Sequence, residues 1–249
     1  MPLKLSVLIP TLNEQENIAA CIESLGQIAE EILVFDSCSA DRTVEIARSL
    51  GARVETRKFD NYSAQKNAAL ELLQNDWVLI LDADERLTPP LRAEIQTLLN
   101  EDPQASAYSI RREAYLKDKR LRCWSTGSVV RLFRRGKARY DENTSVHERL
   151  IVDGATGQLQ NPMLHYSFRS LNQYLPKVEA FTTLSAADAL KNGERFSVVK
   201  LLFYPPARFV KTYLFRGGIF DGLPGIMIAW LSAYSSYLKY TKLWNLKHQ

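Results

Sequence analysis

Trp77–Glu85, WVLILDADE, is the stretch around which the rest of the chain is organised. Its apolar run, with β-branched members, is short enough to be a buried parallel strand. It passes directly into three carboxylates, Asp82, Asp84 and Glu85. Such a strand delivers acid at its carboxyl end, where open α/β sheets bind ligands. An Asp-x-Asp pair there offers hard oxygen ligands for Mg²⁺ or Mn²⁺, and the ion can in turn hold a diphosphate. The same three letters also occur in solvated acidic turns, so the neighbouring segments must decide.

Those segments repeat one pattern. Leu5–Pro10, LSVLIP, reads as a strand and Thr11–Glu14 as a polar loop, followed by an amphipathic helix from about Glu16 to Leu25. Glu31–Phe35, EILVF, is a second strand ending at Asp36, and Asp41 or Ser39 can cap the helix from about Thr43 to Leu50. Arg53–Arg57 is a third short strand, and Asn61–Leu73 is a helix carrying Lys66 and Asn67 near its first turns. Strand, loop and helix in alternation predict an α/β fold with a mostly parallel, Rossmann-like sheet. Asp36 and the Asp82–Asp84 pair should therefore face one crevice. Beyond Pro89-Pro90 the pattern continues with a helix to about Asn100 and strands at Ala107–Arg112 and Val129–Phe133.

Composition bounds the alternatives. With 249 residues, 46% hydrophobic and 24% charged, the chain is ordinary globular material rather than a disordered one. Cys21, Cys38 and Cys123 are odd in number and widely spaced, which points to reduced thiols rather than a disulfide framework or zinc site. The N-terminus turns polar too early for a signal peptide. Net charge is only +4, but residues 111–139 hold eleven basic side chains against two acidic ones. Such a block implies an anionic partner. No zinc-finger or aromatic RNP pattern accompanies it, so phosphates near the site fit better than nucleic acid.

P-x-x-N-E at Pro10–Glu14, D-x-x-S-x-D at Asp36–Asp41, Q-K-N at Gln65–Asn67 and L-D-A-D-E at Leu81–Glu85 resemble, in that order, the donor half of family 2 inverting glycosyltransferases of the GT-A fold. Arg131-Leu132-Phe133-Arg134, Val146-His147-Glu148, His165-Tyr166-Ser167 and the C-terminal G-G-I-F-D-G-L-P-G are similar to the bacterial lipopolysaccharide-core β-1,4-glucosyltransferase branch. The resemblance implies a UDP-sugar donor, with Pro10, Asn13, Glu14, Asp36, Lys66, Asn67, Asp82 and Arg131 around the nucleotide. It also implies a divalent metal, Mg²⁺ or Mn²⁺, with Asp84 as a ligand. His165 could complete the metal shell, or be a core histidine bonded to backbone. An inverting transfer needs a carboxylate base: Glu148 is the choice, with Asp141 and Glu142 as rivals and His147 as an orienting or packing residue. The loop reads Asp36-Ser37-Cys38-Ser39-Ala40-Asp41 where many relatives have two adjacent acids and a glycine. The Q-x-x-R-W signature of processive synthases is absent, which favours single addition.

The domain expectation is a GT-A region over 1–170, with a donor half to 100 and an acceptor half from 101, and a helical amphipathic region over 171–249. In that last region a helix over Asn172–Ala189 should bury Tyr174, Val178, Phe181 and Leu184. The window Gly218–Leu238 is too interrupted for a membrane span. Interfacial helices on the cytoplasmic leaflet of the inner membrane fit better, with Lys200, Arg208, Lys211, Arg216, Lys239 and Lys242 meeting headgroups. The implied reaction moves a hexose, glucose from UDP-glucose, onto a lipid-linked oligosaccharide, the heptose of the lipopolysaccharide inner core. A non-catalytic nucleotide- or nucleic-acid-binding protein is the rival from another class. A nucleotidyltransferase lacks support because no glycine-rich loop follows the first strand.

Overall fold

The computed structural model describes residues 3–101, 103–116, 118–125, 127–141, 149–166 and 171–247. In chain order its elements are β1 (Leu5–Thr11), α1 (Ile18–Leu25), β2 (Glu31–Asp36), α2 (Thr43–Ser49), β3 (Arg53–Thr56), α3 (Tyr62–Leu70) and β4 (Trp77–Ile80). There follow β5 (Glu85–Leu87), α4 (Pro89–Asn100), β6 (Ala107–Leu116), β7 (Lys119–Leu121), β8 (Ser128–Arg134), β9 (Ala138–Tyr140), β10 (Leu150–Val152), β11 (Thr156–Gln158) and β12 (Met163–His165). Three helices close the chain: α5 (Leu171–Lys191), α6 (Val198–Val210) and α7 (Leu223–Lys247). The chain divides into two compact units, Met1–Arg112 with Gly127–His165, and Glu113–Thr126 with Tyr166–Gln249.

The first unit is built on a sheet of order β3-β2-β1-β4-β8-β6-β12-β5. Its first four strands run parallel. The next, β8, runs antiparallel to both β4 and β6. β4 shows why WVLI is apolar throughout. Trp77 and Leu79 join the core beneath α1 and α4, whereas Val78 and Ile80 join the one beneath α3. A strand covered on both faces has no polar side to show, and each fully buried side chain stabilises by ~1.5–3 kcal/mol. The helix starts follow their caps. Asn61 Oδ1 accepts from Ala64 N–H at 2.8 Å, and Thr88 Oγ1 accepts from Leu91 N–H at 3.2 Å ahead of Pro89-Pro90; at α2 the N-cap position is Arg42, and Asp41, one residue earlier, accepts from Thr43 N–H at 3.0 Å.

In the second unit the end of β6 and β7 form an antiparallel hairpin, which packs on α7 through Ala114, Leu121 and Cys123 against Ile228 and Leu231. α5 is rotated from the face expected of it. Val178, Thr182, Ala186 and Ala189 are buried, whereas Phe181 is 45% and Leu184 36% exposed. Ala186 and Ala189 meet Tyr240 and Leu243, and small side chains there let the two helices approach closely. Three lysines expected at headgroups are engaged inside the unit instead. Lys200 and Lys239 bracket Glu194 at 2.7 and 3.1 Å. Lys242 donates to the Glu179 carbonyl at 2.7 Å and to the hydroxyls of Thr182 and Thr183 at 2.9 and 2.7 Å. No helix among the described residues is long and apolar enough to cross a membrane.

The glycine-rich run Gly217–Gly225 makes the reversal between α6 and α7. A Cβ on Gly225 would lie 1.9 Å from the Gly218 carbonyl oxygen, a backbone atom that cannot swing aside. Both carboxylate oxygens of the buried Asp221 accept backbone N–H groups of the hairpin, from Arg122 at 3.0 Å and Cys123 at 2.9 Å. Beside that carboxylate, burial pushes the Cys123 thiol up to about 12. Gly225→Ala is expected to cost ~1–3 kcal/mol or more, because it overpacks a backbone-to-backbone contact; urea unfolding read by far-UV circular dichroism measures it.

Candidate active site

The register of the parallel strands sets the crevice. Thr11 lies opposite Asp36, and Leu8 opposite Ile80, so the segments after β1, β2 and β4 all emerge at the carboxyl edge of the sheet. The first two are laced together. Asn13, in a left-handed conformation with φ 54°, donates its N–H to Ser39 Oγ at 2.8 Å and accepts from Ala40 N–H at 2.8 Å. Glu14 N–H reaches Thr43 Oγ1 at 2.8 Å, Gln15 N–H reaches Asp41 Oδ2 at 3.1 Å, and the Glu14 carboxylate accepts from Asn17 Nδ2 at 2.7 Å. Asp36 is buried and accepts from Thr11 Oγ1 at 3.2 Å, Ser39 N–H at 2.8 Å and Ser39 Oγ at 2.5 Å. Cys38 likewise has a left-handed conformation, φ 66°. Only a small local strain comes with a side chain there.

Beside this loop pair lies a charged cluster. Arg131 on β8 is buried and its Nη2 bonds both Asp82 Oδ2 and Glu85 Oε1, the latter at 2.7 Å. Lys66, 5% exposed, reaches Asp82 Oδ1 at 3.7 Å. Glu85, wholly buried, also accepts from Asp82 N–H at 3.0 Å and lies 3.7 Å from Arg112 Nη1. β5 pairs antiparallel with β12 so that Glu85 faces His165 in register. That pairing brings His165 Nε2 to 3.5 Å from Asp84 Oδ2.

The electrostatics follow from this geometry. Burial disfavours the charged form of Asp82, but Arg131 and then Lys66 outweigh it and hold the carboxyl well below the usual carboxylate range. Burial pushes Glu85 up against the pull of Arg131. Arg131 would lose its proton more readily through burial alone, yet Asp82 and Glu85 hold it firmly charged. Burial would lower His165 too, but the Asp84 carboxylate raises it above its ordinary value. Arg131 gains ~4 kcal/mol from the contact with wholly buried Glu85 and less from Asp82, whose side chain is 35% exposed and screened by solvent. That offsets a desolvation penalty of several kcal/mol per ion.

Of the expected site residues, the structure brings Asp82, Asp84, Lys66, Arg131 and His165 together, and places Asn13, Glu14 and Asp36 in the adjoining laced loops. Pro10 sits on β1 opposite Phe35. Asn67 has a structural part to play. Its amide donates to the Tyr140 carbonyl and accepts from Tyr140 N–H, both at 3.0 Å, clipping α3 to β9. Asp141 pairs its N–H with the Arg149 carbonyl at 2.9 Å. Glu142, His147 and Glu148 lie outside the described residues. Glu85 and Arg112 were not among the expected site residues. Their signal was present: Glu85 is the third acid directly after a buried strand, and Arg112 opens the basic block that begins where Ala107–Arg112 ends.

A divalent cation fits this chemistry. Among the described residues no group of three or more His, Cys, Asp or Glu side chains could cage an ion. The Asp84 carboxylate and His165 imidazole can supply one oxygen and one nitrogen, leaving the other positions to diphosphate oxygens and water, as suits Mg²⁺ or Mn²⁺ in sites of this kind.

Parallel strands that deliver acid into one crevice at their carboxyl edge are the architecture of the GT-A fold. The description Glycosyl transferase family 2 matches residues 6–152, and the chain belongs to that family and is a glycosyltransferase. Among curated proteins it is 32% identical to the lipopolysaccharide core biosynthesis glycosyltransferase LpsC of Rhizobium meliloti (strain 1021), with 97% of this chain and 92% of the relative covered. It is 31% identical to a glycosyltransferase of Rickettsia typhi (strain ATCC VR-144 / Wilmington), over 96% of this chain and 86% of the relative. Among solved structures, S. aureus TarS 1-349 in complex with UDP-GlcNAc shares the fold at TM-score 0.51 and 12% identity, covering 99% of this chain and 92% of that one.

Arg131→Met should destabilise the protein by ~3–5 kcal/mol, because it strands the Glu85 charge in the interior. Urea denaturation of wild type and variant at neutral pH gives the difference.

Proposed function

We propose that this glycosyltransferase is an inverting, single-addition hexosyltransferase that moves glucose from UDP-glucose onto a sugar hydroxyl of a lipid-linked oligosaccharide, the heptose of the lipopolysaccharide inner core. The observation that carries the reading is the cluster of Asp82, Asp84, Lys66, Arg131 and His165 at the carboxyl edge of the parallel strands. Similarity to a lipopolysaccharide-core enzyme along nearly the whole chain supports the acceptor class. The UDP-sugar held by a protein of the same fold supports the donor. With such an acceptor the protein works peripherally on the cytoplasmic face of the inner membrane.

The residues divide the chemistry between them. Asp36 and the loop carrying Pro10, Asn13 and Glu14 receive uracil and ribose; Lys66 and Arg131 add positive charge beside the diphosphate while keeping Asp82 ionised. Asp84 and His165 would hold the divalent ion, which would supply positive charge beside the diphosphate of the departing UDP. Glu148 takes the proton from the acceptor hydroxyl as its oxygen attacks the anomeric carbon and the bond to UDP breaks on the opposite face. Asp141 and Glu142 are its rivals. Much of the basic block serves this protein's own structure rather than a nucleic acid. Arg131 and Arg112 meet Glu85, Arg120 meets Glu113 at 3.0 Å, Lys137 meets Asp153 at 2.6 Å, and Arg134 stacks over Trp77 at 5.2 Å.

Calorimetric titration with UDP, in the presence and absence of Mn²⁺, is expected to show metal-dependent binding that ADP and GDP do not reproduce and that Asp84→Ala removes. Glu148→Gln should keep that binding and lower transfer by ~10²-fold or more. Selective binding that survives in Asp84→Ala without metal, or full transfer by Glu148→Gln, would refute the corresponding assignment.

A further inference from the structure

α6 buries none of its side chains. It leans on its own unit through half-buried residues, with Tyr204 against Tyr240 at 5.4 Å and Phe209 against Trp230 at 5.0 Å. The opposite face is apolar and open: Val199, Leu202, Phe203, Val210 and Leu214 are 64, 62, 63, 43 and 51% exposed. Val199, Leu202, Phe203 and Val210 fall at spacings of three, four and seven on one stripe of α6, and Leu214 follows in the π-helical turn Lys211–Phe215. At the reversal that follows, Phe215, Phe220 and Leu223 are 82, 72 and 70% exposed. A continuous apolar surface of this kind on a water-facing helix marks an interaction site.

Charge selects the partner. After Glu194 the chain contains one acidic side chain, Asp221, and that one is buried and engaged by hairpin N–H groups. Arg208, Lys211 and Arg216 flank the apolar stripe, are exposed, and have no ion-pair partner among the described residues. Arg122 of the hairpin lies over the Phe220 ring at 5.6 Å. A second copy of this chain would bring like charges together, whereas an anionic bilayer offers an apolar interior beneath a negative surface. The close Gly218–Gly225 contact and the Asp221 clamp explain why Phe220 and Leu223 stay presented to the outside instead of folding inward.

We infer that the stripe of α6 together with the Phe215, Phe220 and Leu223 tip forms a shallow membrane-insertion surface for anionic lipid headgroups, with α6 lying in the plane of the interface. The inference rests on the reading of a lipid-linked acceptor, and it assigns the membrane contact to this surface rather than to the lysines at 200, 239 and 242.

The test is flotation of the full-length protein with vesicles of phosphatidylethanolamine and phosphatidylglycerol, against vesicles of phosphatidylcholine alone. Wild type should float with the anionic vesicles and lose that binding as salt rises. The triple variant Phe215→Ser/Phe220→Ser/Leu223→Ser should partition at least ~10-fold more weakly. Arg208→Ser, Lys211→Ser and Arg216→Ser should each weaken it roughly fivefold. Helix content and UDP binding should match wild type in all of these variants. If wild type binds vesicles and the tip variant binds equally well, the assigned surface is wrong while a membrane-bound acceptor still stands. If wild type binds no vesicle, or self-associates through the tip in sedimentation velocity, the bilayer is not the occupant and the inference falls. Loss of selective UDP binding in wild type would instead remove the transferase reading.

Discussion

The site depends on one guanidinium. Arg131 comes from an antiparallel strand beside the parallel half of the sheet and reaches Asp82 on one side and Glu85 on the other. Three acidic residues in close succession at the end of a buried strand repel one another, and burial raises the cost of each charge. One guanidinium nitrogen, Arg131 Nη2, ties the first and third, with Lys66 and Arg112 closing the outer sides. Asp84, between them, is left turned toward His165. On the proposed donor role, this would preorganise the acid pair and lower the reorganisation that binding requires.

Local chemistry made much of the donor half legible. Runs with β-branched members marked β1, β2 and β4, the last two passing into acid, and Asp41 announced the start of α2, because those signals lie within a few residues of each other. Helix ends were overextended in α3, expected to Leu73 and ending at Leu70. Local spacing does not reach the non-local contacts. His165 was expected beside Asp84 at a metal, and the two meet because β12 pairs with β5; Asn67 turns to Tyr140 because β9 passes beside α3. Neither pairing leaves a mark in the spacing of either segment. In α5, a count of large apolar residues favoured Phe181 and Leu184, but packing between helices selected the small Ala186 and Ala189. Lys200, Lys239 and Lys242 read as a headgroup-seeking set until their carboxylate and hydroxyl partners in the same unit came into view.

Glycine and aspartate give the helical unit its distinctive turn. Gly218 and Gly225 allow backbone to touch backbone, and Asp221 completes the turn by receiving two hairpin N–H groups. A carboxylate held this way is an acceptor with its hydrogen bonds satisfied, so its burial is tolerated. The result is a rigid reversal with aromatic and aliphatic side chains on its outer side and uncompensated positive charge around them. A family 2 transferase whose acceptor is anchored in lipid gains from such a surface, because holding the enzyme at the bilayer raises the concentration of acceptor it meets.

The claim that Arg131 sets the geometry of the donor acids is tested most directly by Arg131→Lys. Lysine keeps the positive charge but ends in a compact ammonium on a flexible stem, without the planar guanidinium that places Nη2 between the two carboxylates. Calorimetric affinity for UDP with Mn²⁺ should fall by ~10-fold or more in a variant that circular dichroism shows to be folded. Unchanged affinity would mean that charge alone suffices and that the bridge to Glu85 does not position the site.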